Sequence, residues 1–149
     1  MLKKLGSKLK EQKGFTLIEL LAVIVILGII AAIAIPAIGN VINNSKEKAQ
    51  VQEGLQIINA AKYYMNEKNP SGTALTALAT AGTGLDSTDL APYLDRVNDS
   101  SFEVLVSAKA SGGFLYTLTS HEANDITGGT TDIKTNGATE QELVSWKRN

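Results

Sequence analysis

The first residue that calls for a chemical explanation is Glu19, a single carboxylate inside an otherwise apolar run from Phe15 to Ile38. An acidic side chain at the centre of a membrane span costs on the order of 3 kcal/mol, so such a residue normally faces a partner of opposite charge. The alternative is that Glu19, only four residues into the run, snorkels towards the lipid headgroups. Its position alone leaves both roles open.

The apolar run itself is long enough to cross a membrane. Its 24 residues make a helix of roughly 36 Å at about 1.5 Å per residue, against a hydrocarbon core about 30 Å thick. Short basic segments stay on the cytoplasmic side, and the run is preceded by Lys3, Lys4, Lys8, Lys10 and Lys13. We therefore expect a single-pass precursor in the cell membrane, with a cytoplasmic amino terminus and the rest of the chain outside the cell.

The string Lys13-Gly14-Phe15-Thr16-Leu17-Ile18-Glu19-Leu20 resembles the cleavage and methylation signature of bacterial type IV prepilins and of the related type II secretion and competence pseudopilins. The resemblance is close from Lys13 to Val41, including Pro36, and continues loosely as a long helix followed by a small β-rich head. It implies that a membrane aspartyl prepilin peptidase removes residues 1–14 after Gly14, and that Phe15 becomes the new, N-methylated terminus.

Such a cleavage would change the charge of the chain. The whole chain has 14 basic and 15 acidic residues, whereas nine basic and 14 acidic residues remain without residues 1–14, which gives a net charge of −5. The resemblance implies that the Glu19 carboxylate meets the new Phe15 amine of a neighbouring subunit, with Thr16 as a further assembly residue. The sequence equally allows a pair within one helix. A subunit in the wrong register would leave two desolvated charges unpaired, a penalty of several kcal/mol.

Gly28 and Pro36 interrupt the apolar run. Proline lacks the amide that would bond to the carbonyl of Ala32, so we expect a kink or a local opening of the helix there. The resemblance implies that this stretch loses helicity in assembled filaments and makes them extensible. The alternative is that glycine and proline are simply common in membrane helices.

A different processing site is also possible in principle. Ala32-Ile33-Ala34 fits the small-x-small pattern that ends a secretory signal peptide. Cleavage there would release a soluble domain that starts at Ile35. Glu19 inside the apolar region and a proline directly after the new terminus argue against this alternative.

Beyond residue 38 the pattern changes to that of an amphipathic helix over residues 39–68. Its apolar stripe recurs at steps of three, four or six residues, with polar residues on the opposite face. The stripe consists of Val41, Ser45, Val51, Leu55, Ile58, Ala61 and Met65, and the opposite face of Lys46, Glu47, Gln50, Glu53 and Lys62. Because Asn69-Pro70-Ser71-Gly72 disfavours a helix, we expect the helix to end near Lys68.

Residues 69–149 are expected to form a globular head with a small antiparallel sheet of three to four strands. Alternating apolar residues predict strands over 102–108 and 114–119, joined by a turn at Lys109–Gly113. Residues 73–84 are predicted to form a loop with a helical turn around 74–79, and residues 87–94 a short capped helix. Residues 125–134 are a candidate for a further strand, and Leu143, Val144 and Trp146 return the tail to the head. The predicted fold class is therefore α+β and type IV pilin-like, with the long helix packed on the sheet.

Other site chemistry has little support in the sequence. Glu122, Asn124, Asp125 and Asp132 carry oxygen ligands of the type that calcium prefers, but they show no recognised ligand spacing, so we predict a solvated loop and assign no metal ligands and no cofactor. The single histidine, His121, lies in a polar stretch and is expected to be exposed and not catalytic. The chain has no cysteine, no phosphate-binding loop and no zinc-protease motif. Direct nucleic-acid binding is disfavoured for a mature chain of charge −5, although Lys147-Arg148 offers a local basic patch.

Three functions remain for the chain. The first is a structural subunit of an extracellular type IV pilus, a filament used for example in adhesion or twitching motility. It would be processed after Gly14 and polymerised through its apolar helix, and it would need a membrane assembly platform with a separate ATPase. The second is a pseudopilin of a type II secretion or DNA-uptake machine, and the third is a membrane-anchored or secreted binding domain. None of the three is an enzyme.

Overall fold

The computed structural model describes residues 2–80, 82–126 and 137–147, with side chains from Thr16 onward. Its first element is the helix α1, Leu2–Lys68. The chain divides into two compact units, Met1–Asn43 and Asn44–Asn149, so the carboxyl-terminal part of α1 belongs to the same unit as the head. The predicted boundary after residue 14, which concerns processing, stays a prediction.

The end of α1 lies where the sequence predicts it. Lys68 is the last helical residue, and Asn69 adopts the left-handed conformation with a φ of 42°. The Asn69 N–H still donates to the Met65 carbonyl at 3.0 Å, which closes the last turn. The helical assignment runs through Pro36 without a break, and the bend expected at Gly28 and Pro36 stays a prediction.

Four strands form an antiparallel sheet in the order β1-β2-β3-β4 within the described residues. They are β1 (Leu85–Asp86), β2 (Glu103–Ala108), β3 (Phe114–Thr119) and β4 (Ala138–Thr139). The central hairpin of β2 and β3 is the one predicted from alternation, with Val106 opposite Tyr116. Its turn closes through Gly112 and Gly113, whose φ values of 89° and 83° suit glycine.

Short helices flank the sheet. They are α2 (Thr73–Ala77), α3 (Ser87–Leu90) and α4 (Glu140–Ser145), with 3-10 turns at Ala91–Tyr93 and Glu122–Asp125. Side-chain oxygens cap the first turns of two of these helices. The Asp86 carboxylate at the start of α3 accepts the backbone N–H groups of Thr88 and Asp89 at 2.7 and 3.0 Å. Thr139 and Glu142 form a capping box at the start of α4. The α+β class predicted from the sequence is confirmed.

The carboxyl-terminal part of α1 packs on the sheet along one face. Of the predicted stripe, Val51, Ile58, Ala61 and Met65 are buried and Leu55 is half-buried, whereas Ser45 and Val41 are exposed. The buried face is wider than predicted, since it also includes Gly54, Ile57 and Ala60. The face is wider because α4 and the 3-10 turn contact α1 as well as the sheet, as Leu143, Ala123 and Leu118 around Gly54 show.

Three polar residues assigned to the opposite face of α1 contact the head instead. The Gln50 amide donates to Glu122, the Asn98 backbone N–H donates to the Glu53 carboxylate, and Lys62 pairs with Glu140. These side chains lie at the margins of the buried face, where a long side chain reaches a polar partner while its stem packs on apolar atoms. The prediction that these three residues lie on the face opposite the packed stripe is therefore wrong.

The tail of the chain differs in detail from the prediction. Leu143 and Trp146 are buried as expected, but Val144 is 64% exposed, because one turn of α4 cannot direct adjacent residues to the same side. The strands β1 and β4 were not predicted. Most of the proposed strand at residues 125–134 lies outside the described residues, and Asp125 ends a 3-10 turn.

Candidate assembly helix

Within the described part of α1, the stretch from Leu17 to Ile42 exposes a large apolar surface. From Leu17 to Ile42 the large aliphatic side chains are 48–71% exposed. Contiguous apolar surface of this extent is characteristic of a region that another molecule or a membrane covers. Glu19 is the only charged residue between Thr16 and Ser45.

The energetic balance favours covering this surface despite the charge. Sixteen large aliphatic side chains are exposed over this stretch, and burying what remains of each contributes about 1 kcal/mol, so the total is on the order of 15 kcal/mol. A carboxylate within an apolar span costs on the order of 3 kcal/mol. The single charge therefore does not prevent insertion, but it leaves a specific need for a partner.

The described residues include one helix that is long and apolar enough to cross a membrane, with a mean hydropathy of 3.0 over its most apolar 18 residues. The segment is Thr16–Lys68, it lies near the amino terminus, and none of that apolar window is buried in the chain. A signal sequence meets the same criteria of length and composition. The membrane role of the segment therefore depends on the motif that precedes it.

The helix places Glu19 where a cleaved terminus would need it. Glu19 is exposed and helical, four residues after Phe15, so the two positions share one face of α1, about 6 Å apart along the axis. Thr16 is exposed on the adjoining part of that face. In the uncleaved chain the Phe15 nitrogen is a neutral amide of the helix, so an ion pair at this place requires cleavage after Gly14.

Gly54 is a residue of the helix–head contact that the sequence pattern did not single out. A Cβ atom at Gly54 would lie 3.1 Å from Leu118 Cδ2, 3.3 Å from Leu143 Cδ1 and 3.5 Å from Ala123 Cβ. The sheet, α4 and the 3-10 turn thus all close on one glycine of α1. A glycine inside a helical pattern was the available signal, since it often marks a close approach.

The environment of His121 also differs from the one predicted from the sequence. It is 3% exposed, and its Nδ1 accepts the backbone N–H of Ala123 at 3.0 Å. The chain turns at Ser120, which has a φ of 56°, directly after β3. His121 is then the cap of the 3-10 turn. The prediction of an exposed histidine is wrong. Its polar neighbours Ser120 and Glu122 are exposed, whereas the imidazole is buried and accepts a backbone hydrogen bond.

The oxygen side chains considered for calcium do not converge in the described part of the chain. Glu122 and Asp125 are exposed, whereas Asn124 is buried on the other side of the turn. No group of three or more histidine, aspartate or glutamate side chains suited to a metal occurs among the described residues. Asp132 lies outside them. The assignment of no metal and no cofactor stays a prediction.

Comparison with known proteins confirms the motif recognised in the sequence. Residues 9–35 match the family described as the prokaryotic N-terminal methylation motif. This match contains Gly14, Phe15, Thr16, Glu19 and Gly28. The amino-terminal part of the chain therefore carries a prepilin-type methylation motif.

Relatives extend the likeness beyond the motif. A type IV major pilin protein of Neisseria gonorrhoeae is 40% identical over 90 positions, covering 54% of this chain and 40% of that protein. A type IV major fimbrial protein of Dichelobacter nodosus is 37% identical over 82 positions, with 55% and 48% covered. A fimbrial protein of Moraxella nonliquefaciens is 39% identical over 79 positions, with 52% and 49% covered.

The chain thus spans slightly less than half the length of the curated relatives it matches, and about half of the chain takes part in each match. Over that part it is similar to type IV pilins and fimbrial proteins. No solved structure matches the chain significantly.

Proposed function

We propose that this chain is the precursor of a structural subunit of an extracellular bacterial type IV pilus. In this proposal, prepilin peptidase cleaves after Gly14 and the new terminus at Phe15 is N-methylated. The apolar part of α1 holds the subunit in the inner membrane before assembly and forms the filament core afterwards. The observation that carries the proposal is the methylation motif at residues 9–35, directly on a helix whose apolar surface is uncovered.

The uncovered surface explains why the subunit would polymerise. The aliphatic side chains from Leu17 to Ile42 are exposed all around the helix, so packing on one neighbour would leave most of them uncovered. Lipid covers them in the precursor, and several neighbouring copies would cover them in a filament. Copies of the same helix thus replace the bilayer as the apolar surroundings.

The single carboxylate sets the register of that packing in our proposal. After cleavage the Phe15 amine of one copy and the Glu19 carboxylate of the next neutralise each other inside the apolar core, with Thr16 on the same face. A shift by one turn would leave an amine and a carboxylate buried without partners, at a cost of several kcal/mol. Gly28 and Pro36 would let the core helix yield when the filament is stretched.

The partners follow from this role. They are other copies of the chain, prepilin peptidase, the lipid bilayer before assembly, and an assembly platform with a separate ATPase, since the sequence has no phosphate-binding loop. The protein acts as a structural component and not as an enzyme, and it needs no cofactor. The relatives named above are pilins and fimbrial proteins, which favours a surface filament over a pseudopilin.

The proposed role of the Glu19 carboxylate in setting the register is tested by Glu19→Ala, with Leu20→Ala as the matched control. Both positions are exposed on the apolar helix, but only Glu19 carries a charge. We expect Glu19→Ala to insert and to be processed normally and to give few filaments, whereas Leu20→Ala keeps most of the yield. The measurement is the amount of filament protein sheared from cells, normalised to processed protein in the membrane. Wild-type yield from Glu19→Ala would refute the proposed role of the carboxylate in assembly.

A further inference from the structure

His121 is held in the structure in one particular protonation form. Its Nδ1 accepts the backbone N–H of Ala123 at 3.0 Å, and a neutral imidazole has one accepting nitrogen and one N–H. The proton of the neutral ring therefore sits on Nε2. This nitrogen is buried and has no hydrogen-bond partner among the described residues.

The surroundings of His121 are acidic. The imidazole lines a recess of about 360 Å³ between α1, the segment before β2 and the 3-10 turn. The ionisable groups that share the recess are Lys46 and Glu53 of α1, Asp99 of the connecting segment, and Glu122 of the turn itself. With a neutral histidine these four groups carry a net charge of −2, so a proton arriving on the imidazole meets negative charge.

Burial and charge act on the imidazole in opposite directions. Burial lowers the pKa of His121 below its ordinary value of 6.5, and the carboxylates of Glu53, Asp99 and Glu122 raise it by less. His121 is therefore neutral at pH 7. The unfolded chain takes up this proton more readily, so the folded head loses stability as the pH falls below about 6.5, and the loss is complete below the folded-state pKa.

Protonation removes the cap of the 3-10 turn. Both nitrogens of an imidazolium are donors, so Nδ1 can no longer accept from Ala123. The side chain of Ala123 is fully buried and lies with Leu118 and Leu143 around Gly54 of α1. The group that gains the proton is thus two residues before Ala123, through which the 3-10 turn contacts α1 at Gly54.

We propose that His121 is an acid-sensitive switch of the head, in which protonation releases the cap on Ala123 and loosens the packing of the 3-10 turn on α1 at Gly54. The charged imidazole then turns towards the carboxylates of the recess. All the groups involved lie between residues 46 and 143 in one compact unit. The switch therefore operates in the single chain and does not depend on polymerisation.

The test is a pH titration of the full-length chain in detergent micelles, followed by NMR. The chain has one histidine, so its imidazole signals are unambiguous. We expect the midpoint of the His121 titration to lie below pH 6.5. Over the same pH interval the hydrogen-exchange rate of the Ala123 amide, corrected for its intrinsic pH dependence, should rise roughly fivefold, as the loss of a typical cap implies. A midpoint at or above 6.5, or constant protection of Ala123 through the His121 titration, would overturn the proposal.

His121→Asn is the matched variant, because an asparagine oxygen also caps a helical turn but does not titrate in this range. We expect this variant to protect Ala123 equally at pH 7 and pH 5, even if its stability is lower throughout. The same pH step in His121→Asn would assign the effect to the carboxylates and overturn the role of the histidine. If the variant does not fold, the wild-type titration still tests the proposal, because the loss of Ala123 protection must follow the titration of His121.

Discussion

Replacing Gly54 by valine tests whether the head is built directly on the carboxyl-terminal part of α1. The first added atom would already lie 3.1 Å from Leu118 Cδ2 and 3.3 Å from Leu143 Cδ1, and the two further methyl groups must displace these side chains. Overpacking of this kind costs about 1–3 kcal/mol, while the better helix propensity of valine returns a few tenths of a kcal/mol. The net expected loss is about 1–2.5 kcal/mol.

The assay is thermal unfolding of the full-length protein in detergent micelles. The fluorescence of Trp146, the single tryptophan and 7% exposed, reports on the head. For a domain of this size the loss corresponds to a Tm lower by roughly 5–15 °C. Gly39→Val is the matched control, since nothing lies within 4 Å of a Cβ at Gly39, and its Tm should equal that of the wild type. Equal Tm values for both variants would refute the close packing of the head on α1.

Two further predictions concern the tail and the leader. Leu143→Ala should lower the free energy of unfolding by about 2–5 kcal/mol, because Leu143 is only 1% exposed. The neighbouring Val144→Ala should change it by less than about 0.5 kcal/mol, because Val144 is 64% exposed. Denaturant unfolding measures both values, and equal effects would contradict the placement of α4. Gly14→Val should leave an unprocessed precursor in the membrane, since the peptidase is expected to need a small residue there; the mass of the membrane form measures this, and normal maturation would rule out the proposed cleavage site.

The parts of the fold that the sequence predicts are those with local signals. Asn69-Pro70 stops α1 at Lys68, and alternation with two glycines gives the hairpin of β2 and β3. Neither signal needs knowledge of the rest of the chain.

The parts that escaped prediction depend on distant contacts. The strands β1 and β4 have two residues each, too few for a period, and they exist because they pair with the edges of the hairpin. Gly137, directly before β4, has a φ of 125°, and a Cβ there would lie 2.5 Å from Thr117 Cγ2. The requirement for glycine at this position becomes visible only once β3 lies beside it.

The functional residues also fall into some with a local sequence signal and others that depend on distant contacts. Gly14, Phe15 and Glu19 belong to a contiguous motif, so the sequence predicts them without knowledge of the fold. The structure adds that Glu19 is exposed and lies one helical turn after Phe15. His121 and Gly54 depend on residues that are far apart in the sequence, as the distances from Gly54 to Leu118 and Leu143 show. Periodicity within α1 marks which face is buried but not which element covers each residue.

The most direct test of the proposed function is the intact mass and amino-terminal sequence of protein recovered from sheared cell-surface material. Our account predicts polymeric material whose chains begin at a methylated Phe15, with a mass that corresponds to residues 15–149 plus one methyl group. Soluble protein that begins at Ile35 would mean that the apolar segment is a discarded signal, and it would contradict the proposal that this segment forms a filament core.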